Sequence, residues 1–429
     1  MSLLMARLGR FPWRRISGFF LLQLLSAVIP LVVLPFVVRM IGPAGWAGLS
    51  LGYSIGAAAA VLINFGWIVV GPGMVSGVDA VRARFVYAEG LWSRLLLSVP
   101  FGALAFVCAL IMVPGTHSFL AGAMAVSLAA TGLSPTWFYI GRGVPGKVAL
   151  YDTIPRILGS VASIPLLALT GEPLMYPAAL LVFGLLGVGI SAVRELRSAG
   201  GESPSMRDIA QRIRIQLPLA ISGVIMVGYT SLAVAFVSIG SRSVSVIADY
   251  AAGARLRSAA QAGISAFTSG LQGWASERSG GLMNPRKLRA ALAMNSVVGL
   301  LAGAAFAALA PWATSWLFGP AIALSPLAAL WFGVACFFYA VGASLSYHIL
   351  GSLGAVKVIS TSTIIASLIG IPLLIWLSAV GGTDGAALAT AVAEFTVVAI
   401  QLPIALGRLR KLAHRASSAT VESSGAEPA

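Results

Sequence analysis

Apolar runs of about twenty residues recur along almost the whole chain, and each is long enough to cross a hydrocarbon core about 30 Å thick as a helix. They fall at 17–38, 45–70, 92–113, 119–140, 154–170, 174–193, 215–239, 246–271, 290–310, 324–349, 358–380 and 386–406. Backbone amides in hydrocarbon must be satisfied within their own segment, so runs of this length specify helices. Twelve of them fill 429 residues with short connections and leave no room for a separate soluble catalytic domain. Composition agrees: 10% of residues are charged, where a soluble domain carries about 25%. The expected fold class is an all-α polytopic membrane protein with about 12 transmembrane helices.

The net charge of +15 would suggest nucleic acid as a partner in a soluble protein; in a membrane chain the placement of the charges decides. Of the 28 Lys and Arg, 24 fall on alternate connections. Examples are Arg82, Arg84 and Arg94, then Arg142, Lys147 and Arg156, and then Arg194 to Arg214. The intervening connections hold only Arg39 and Arg242, and Arg255 and Arg257 lie inside the eighth run. The positive-inside tendency then places both termini in the cytoplasm, and the charge is a topology signal that excludes nucleic acid. Cys108 and Cys336 sit inside apolar runs, where they read as core residues rather than as an extracellular disulfide. The basic start leads into an apolar stretch longer than a cleavable signal core of about 7 to 15 residues, so it reads as a retained first span.

The longest internal hydrophilic stretch, Arg194 to Arg214, divides the chain into two halves of six runs each. Residues 36–42 resemble 236–240, and each segment leads into a Gly, Ala and Ser-rich helix carrying a tyrosine, Tyr53 or Tyr250. The expected organisation is a lobe at 1–200, a second at 201–415 and a polar, disordered tail at 416–429.

An ionised side chain at mid-membrane costs about 2.5 to 3.5 kcal/mol on insertion scales, so each one needs a partner, water or a function. Arg255 and Arg257 lie near the middle of the eighth run and point about 200° apart at 100° per residue. Arg257 shares a face with Asp249 and Gln261. One reading pairs Arg257 with Asp249 structurally; the other sets the guanidinium forks in a cavity, where they suit a diphosphate or another polyanion. Glu394 sits deep in the twelfth run with no basic residue within two turns of its own helix, so it either carries a proton or pairs with an arginine of the eighth run. Asp152 and Arg156, one turn apart, read as an interfacial pair. Arg39 follows Pro30 and Pro35, which make a hinge plausible in the first run. Gln23, Asn64, Tyr139, Tyr229 and Asn295 are isolated polar groups that together suggest a polar interior.

Signals of an enzyme are poor. The histidines, His117, His348 and His414, are too far apart for metal spacing, and the chain carries no Walker loop, triad or carboxylate pair at helical spacing. No catalytic residue, metal or cofactor is expected. Gly187 to Gly189 and Gly299 to Gly303 lie in apolar runs, where close helix packing explains them better than phosphate binding.

Four segments resemble the polysaccharide flippases of the multidrug/oligosaccharidyl-lipid/polysaccharide exporter superfamily. Residues 34–48, LPFVVRMIGPAGWAG, are similar to that family's proline, arginine and Gly-rich turn between the first two helices. Asn64-Phe65-Gly66-Trp67 resembles its polar-Phe-Gly segment, and Pro135 to Gly141 its Pro-x-Trp-aromatic ending of the fourth helix. Tyr250 to Leu256 resembles the eighth-helix pattern, in which Arg255 takes the family's arginine position. The chain departs from the family in having twelve spans, where some relatives have fourteen, and Asn64 where an acid is common.

The resemblance implies two six-helix lobes around a central cationic cavity in the bacterial cytoplasmic (inner) membrane. The implied substrate is an undecaprenyl-diphosphate-linked oligosaccharide, moved by alternating access, with membrane lipids, a glycan polymerase and glycosyltransferases as partners. Arg39 and Arg255, assisted by Arg257, would hold the diphosphate; Asn64, Tyr229 and Gln23 would accommodate the glycan; Glu394 or Asp249 would respond to a proton or Na⁺ gradient. Two other readings stand beside it: a drug or metabolite antiporter of the same superfamily, and a membrane polymerase or ligase of surface-glycan assembly.

Overall fold

In the computed structural model the backbone is described at residues 13–113, 115–197, 203–275, 278–279 and 282–424. Side chains are described over 32–113, 115–197, 203–217, 231–272, 274–275 and 284–412. Helix dominates: α1 (Trp13–Asn64), α2 (Trp67–Val75), α3 (Ala80–Met112) and α4 (Ser118–Ala129), which tightens into a 3₁₀ turn at Ala130–Leu133. Then come α5 (Thr136–Gly141), α6 (Pro145–Val148) with a π turn at Ala149–Thr153, α7 (Ile154–Thr170) and α8 (Met175–Arg197). The chain continues through α9 (Met206–Ser231), α10 (Ala233–Gly240) and α11 (Val244–Ala275) to a two-residue hairpin, Arg278–Ser279 against Leu282–Met283. It ends with α12 (Pro285–Phe318), α13 (Pro326–Ser344) with a π turn at Leu345–Leu350, and α14 (Val356–Ser424).

Eight segments among the described residues are long and apolar enough to cross a membrane. Two of them, Val32–Val75 and Val356–Leu412, bend sharply at Gly42 (φ 67°) and Gly382 (φ 56°). Side chains rarely adopt this left-handed backbone, so glycine makes both turns and each segment holds two of the crossings expected from sequence. The all-α polytopic class is therefore the observed one. The backbone of α1 stays helical through Pro30 and Pro35 and leaves helical geometry at Gly42, so the bend falls after the prolines rather than at them. Helix α14 continues through Ser424, so part of the tail expected to be disordered is helical, carried by an Ala-containing stretch of good helix formers.

Helix starts follow their caps. The Asp79 carboxylate accepts from Arg82 N at 2.8 Å, Asn284 from Arg286 N at 2.9 Å, and Ser325 from Ala328 N at 2.9 Å. Before α9, Ser205 donates to Asp208 from both its hydroxyl and its backbone, which holds that carboxyl below the ordinary carboxylate range.

By contacts the chain divides at Ala235 and Phe236, so α9 goes with the first unit and the division falls later than the hydrophilic stretch at 194–214. The first unit has an aliphatic core, in which Leu51, Ile55 and Ile63 meet Ala121, Ala125 and Ala129, and an aromatic core around Trp67, Tyr87, Trp137 and Tyr139. The core of the second unit gathers Leu288, Leu345, Ile349, Val398 and Leu409. There α12 and α13 touch backbone to backbone: a Cβ on Gly303 would strike the Gly333 carbonyl, and one on Gly333 the Gly303 carbonyl. Close packing was the sequence expectation for the Gly299 to Gly303 pattern.

Candidate functional site

The second unit carries an ion pair between two of its helices. Arg257 Nη1 of α11 donates to Glu394 Oε1 of α14 at 3.0 Å, with side chains 11% and 15% exposed. Arg257 lies 13 residues past Val244 and Glu394 12 residues past Gly382, or about 18–20 Å along each helix at 1.5 Å per residue. Seven residues before Arg257, Tyr250 shares a hydrogen bond with Thr390 at 3.0 Å, and Thr390 is one turn before Glu394. Two polar rungs thus tie α11 to α14.

Asp249 does not pair with Arg257. The two share a face but stand eight residues apart, about 12 Å along the helix, which no direct ion pair spans. The arginine takes Glu394 instead, and the buried Asp249 Oδ1 has no hydrogen-bond partner among the described residues. Arg255, two residues from Arg257, is half-buried on a different face.

The other expected residues fall in the first unit. Arg39 is exposed three residues before the Gly42 bend. Asn64 ends α1, where Phe65 (φ 51°) and Gly66 (φ 84°) break the helix, and its Oδ1 accepts from Ile68 N at 3.0 Å. Its amide oxygen therefore caps the restarted helix α2. Removing that cap by Asn64→Ala should destabilise the protein by about 1 kcal/mol, readable as a lower thermal midpoint in detergent; an unchanged midpoint would contradict the capping role. The side chains of Gln23 and Tyr229 lie outside the described residues.

Sequence reading missed three polar features of the first unit. Arg94, counted there with the basic connections, is fully buried in α3. Its Nε donates to Gly90 O at 2.7 Å and its Nη1 to Gly132 O and Ser134 O at 3.2 and 2.7 Å, while its guanidinium lies over the Trp137 ring. The carbonyls at Gly132 and Ser134 are those freed where the 3₁₀ turn ends and the helix breaks before α5, so the arginine replaces the missing helical donors. Ser134 also donates to Asp152, which forms the expected pair with Arg156 at 2.9 Å. The legible signal was Asp79: as an N-cap it starts α3 at Ala80 and puts Arg94 well inside a helix.

The second feature is Glu89, 4% exposed, whose Oε1 takes Arg212 Nε of α9 at 2.9 Å. Its Oε2 and both amide atoms of Gln216, one turn after Arg212, are buried without a partner among the described residues. The third is a chain of hydroxyls and charges. Ser191 meets Tyr87 at 2.8 Å and Tyr139 at 3.0 Å, and Glu195 takes Tyr139 at 3.2 Å and Lys147 at 2.8 Å. His348 is also accounted for: its Nε2 donates to the Thr268 carbonyl at 2.9 Å, so its Nδ1 accepts from Ser344 at 2.9 Å.

No protein-family model matches the chain, and neither does any curated protein sequence. Solved structures do. An inward-facing multidrug resistance MATE family transporter of the MOP superfamily aligns over 94% of this chain and 95% of its own, with TM-score 0.56 and 15% identity. The lipid II flippase MurJ, in an inward closed conformation, aligns over 92% and 89% with TM-score 0.65 and 14% identity. A MOP superfamily transporter from Pyrococcus furiosus, described as having a binding pocket of reverse polarity, aligns over 94% and 96% with TM-score 0.52 and 14% identity. The chain has the fold of these transporters. Within this fold the second unit carries the Arg257–Glu394 pair on helices α11 and α14 and, on α11, Asp249, whose Oδ1 has no partner among the described residues.

Proposed function

We propose that the protein moves an undecaprenyl-diphosphate-linked oligosaccharide across the cytoplasmic membrane by alternating access. The observation that carries this reading is the arginine-bearing stretch of α11, with Arg257 largely buried and held by Glu394 and Arg255 two residues away. An intramembrane guanidinium is expensive, and a fork of fixed donors matches the oxygens of a diphosphate at any relevant pH. The fold match to a lipid II flippase, at TM-score 0.65 against 0.56 for the drug transporter, supports the choice of a lipid-linked substrate.

In this mechanism Arg255 engages the diphosphate and Arg257 is oriented by Glu394. With Glu394 answered by Arg257, Asp249 is the carboxylate left to take up a proton or Na⁺. A gradient can bias the cycle only through a group that binds the ion differently in the two states. The alternation of basic and bare connections along the sequence supports a cytoplasmic location for both termini.

The test is Arg255→Ala, assayed with purified lipid-linked oligosaccharide in proteoliposomes and as surface polysaccharide in cells. Transport is expected to fall by at least about tenfold, since a charge-assisted hydrogen bond contributes about 1.5–3 kcal/mol, and lipid-linked units should accumulate in the cytoplasmic leaflet. Asp249→Asn should keep substrate binding and abolish stimulation by an imposed proton or sodium gradient. Normal surface polysaccharide from a well-expressed Arg255→Ala protein would sink the assignment. One observation favours a drug antiporter instead: a buried carboxylate oxygen without a partner, on Asp249, suits a cationic solute. Drug hypersensitivity of a knockout with intact polysaccharide would select that reading.

A further inference from the structure

One side of α8 forms an apolar groove of about 830 Å³ that ends in two arginines. Its lining recurs at helical spacing: Val182, Leu186 and Ile190 run along it, and Arg194 and Arg197 close it. At Gly189 the groove is notched, because a Cβ there would meet nothing within 4 Å. The only acid in the last turns of α8, Glu195, is turned away into the Lys147 and Tyr139 network. Arg194 donates to the neutral hydroxyl of Tyr151, and Arg197 is exposed. One end of the groove is therefore cationic and the rest is bare hydrocarbon.

We infer that this groove binds a phospholipid with an anionic head group, its acyl chains along Val182 to Val193 and its phosphate on Arg194 and Arg197. The dimensions favour that occupant. The apolar part spans 12 residues, about 16 Å from first to last, which is half of a hydrocarbon core about 30 Å thick and so one leaflet. Chains confined to one leaflet end where the groove ends, whereas a polyprenyl tail many times that length would overrun it. Two arginines at the head-group level supply the charge that distinguishes an anionic lipid from a zwitterionic one. This site is independent of the solute the protein carries.

Native mass spectrometry of the full-length protein in mild detergent, given equal phosphatidylglycerol and phosphatidylcholine, tests the inference. Phosphatidylglycerol should be retained about tenfold over phosphatidylcholine, in keeping with two basic side chains acting on one head group. R194Q/R197Q should bring the ratio to one, while R207Q/R214Q, which removes two exposed arginines away from the groove, should leave it unchanged. Gly189→Leu places a side chain in the notch, where a Cβ would meet nothing within 4 Å; it should keep the wild-type thermal midpoint and lower phosphatidylglycerol retention several-fold. Equal retention of both lipids by the wild type, full retention in Gly189→Leu, or equal loss in R207Q/R214Q would overturn the site. Displacement of phosphatidylglycerol by undecaprenyl phosphate at equal concentration would reassign the groove to the polyprenyl tail and overturn it as well.

Discussion

Glu394→Leu should destabilise the protein by about 3–5 kcal/mol, because it leaves the largely buried Arg257 guanidinium without its carboxylate. The readout is the thermal midpoint of the purified protein in detergent, followed by intrinsic fluorescence. The pair is worth far less than the damage done by halving it, since desolvation of both ions offsets most of their attraction. The double variant Arg257→Met with Glu394→Leu is therefore expected to recover most of the wild-type midpoint while remaining inactive in transport. Equal midpoints for wild type and Glu394→Leu would mean that the pair is not desolvated. A double variant as unstable as the single one would mean that the arginine acts through contacts other than Glu394.

A comparable loss is expected for Arg94→Met, by a different route. Methionine fills similar space but leaves the carbonyls of Gly132 and Ser134 short of a donor, while Gly90 keeps the Ser93 hydroxyl. Each buried group left unsatisfied costs about 1–3 kcal/mol, so the change should remove several kcal/mol in total. Arg94→Lys separates charge from geometry. An ammonium keeps the positive charge but has no planar fork to reach carbonyls on two segments, so it should restore only part of the loss. Hydrogen exchange gives the local signature: amides from 130 to 139 should exchange faster in both variants, because the break between the 3₁₀ turn and α5 loses its support. Unchanged exchange there would show that the break holds without the guanidinium.

Much of the fold was legible because hydropathy over twenty residues is a strong signal and needs no knowledge of partners. The bends at Gly42 and Gly382 coincide with glycines that sequence reading had already set between runs. Side-chain partnerships were less legible, since an arginine's choice between carboxylates depends on neighbouring helices. Periodicity put Asp249 and Arg257 on one face, yet the separation along the axis excluded contact, and Glu394 came from 137 residues away. Arg94 was misread for a related reason: its run was started at Trp92, while the cap at Asp79 extends the same helix further back. Asn64 read as a polar group in an apolar setting; its capping contact depends on a left-handed backbone at Phe65, which periodicity does not reveal. Glu89 and Gln216 were passed over because nothing local marks a residue that will be buried by a helix more than a hundred positions later.

The touching backbones at Gly303 and Gly333 restrict how the second unit can rearrange. Two helices so near that neither admits a methyl group cannot slide along or roll over each other without driving bulkier neighbours such as Phe306 and Phe332 into the gap. They behave as a welded plank, and any large displacement within that unit has to be taken up at other joints, among them the break in α14 at Gly382.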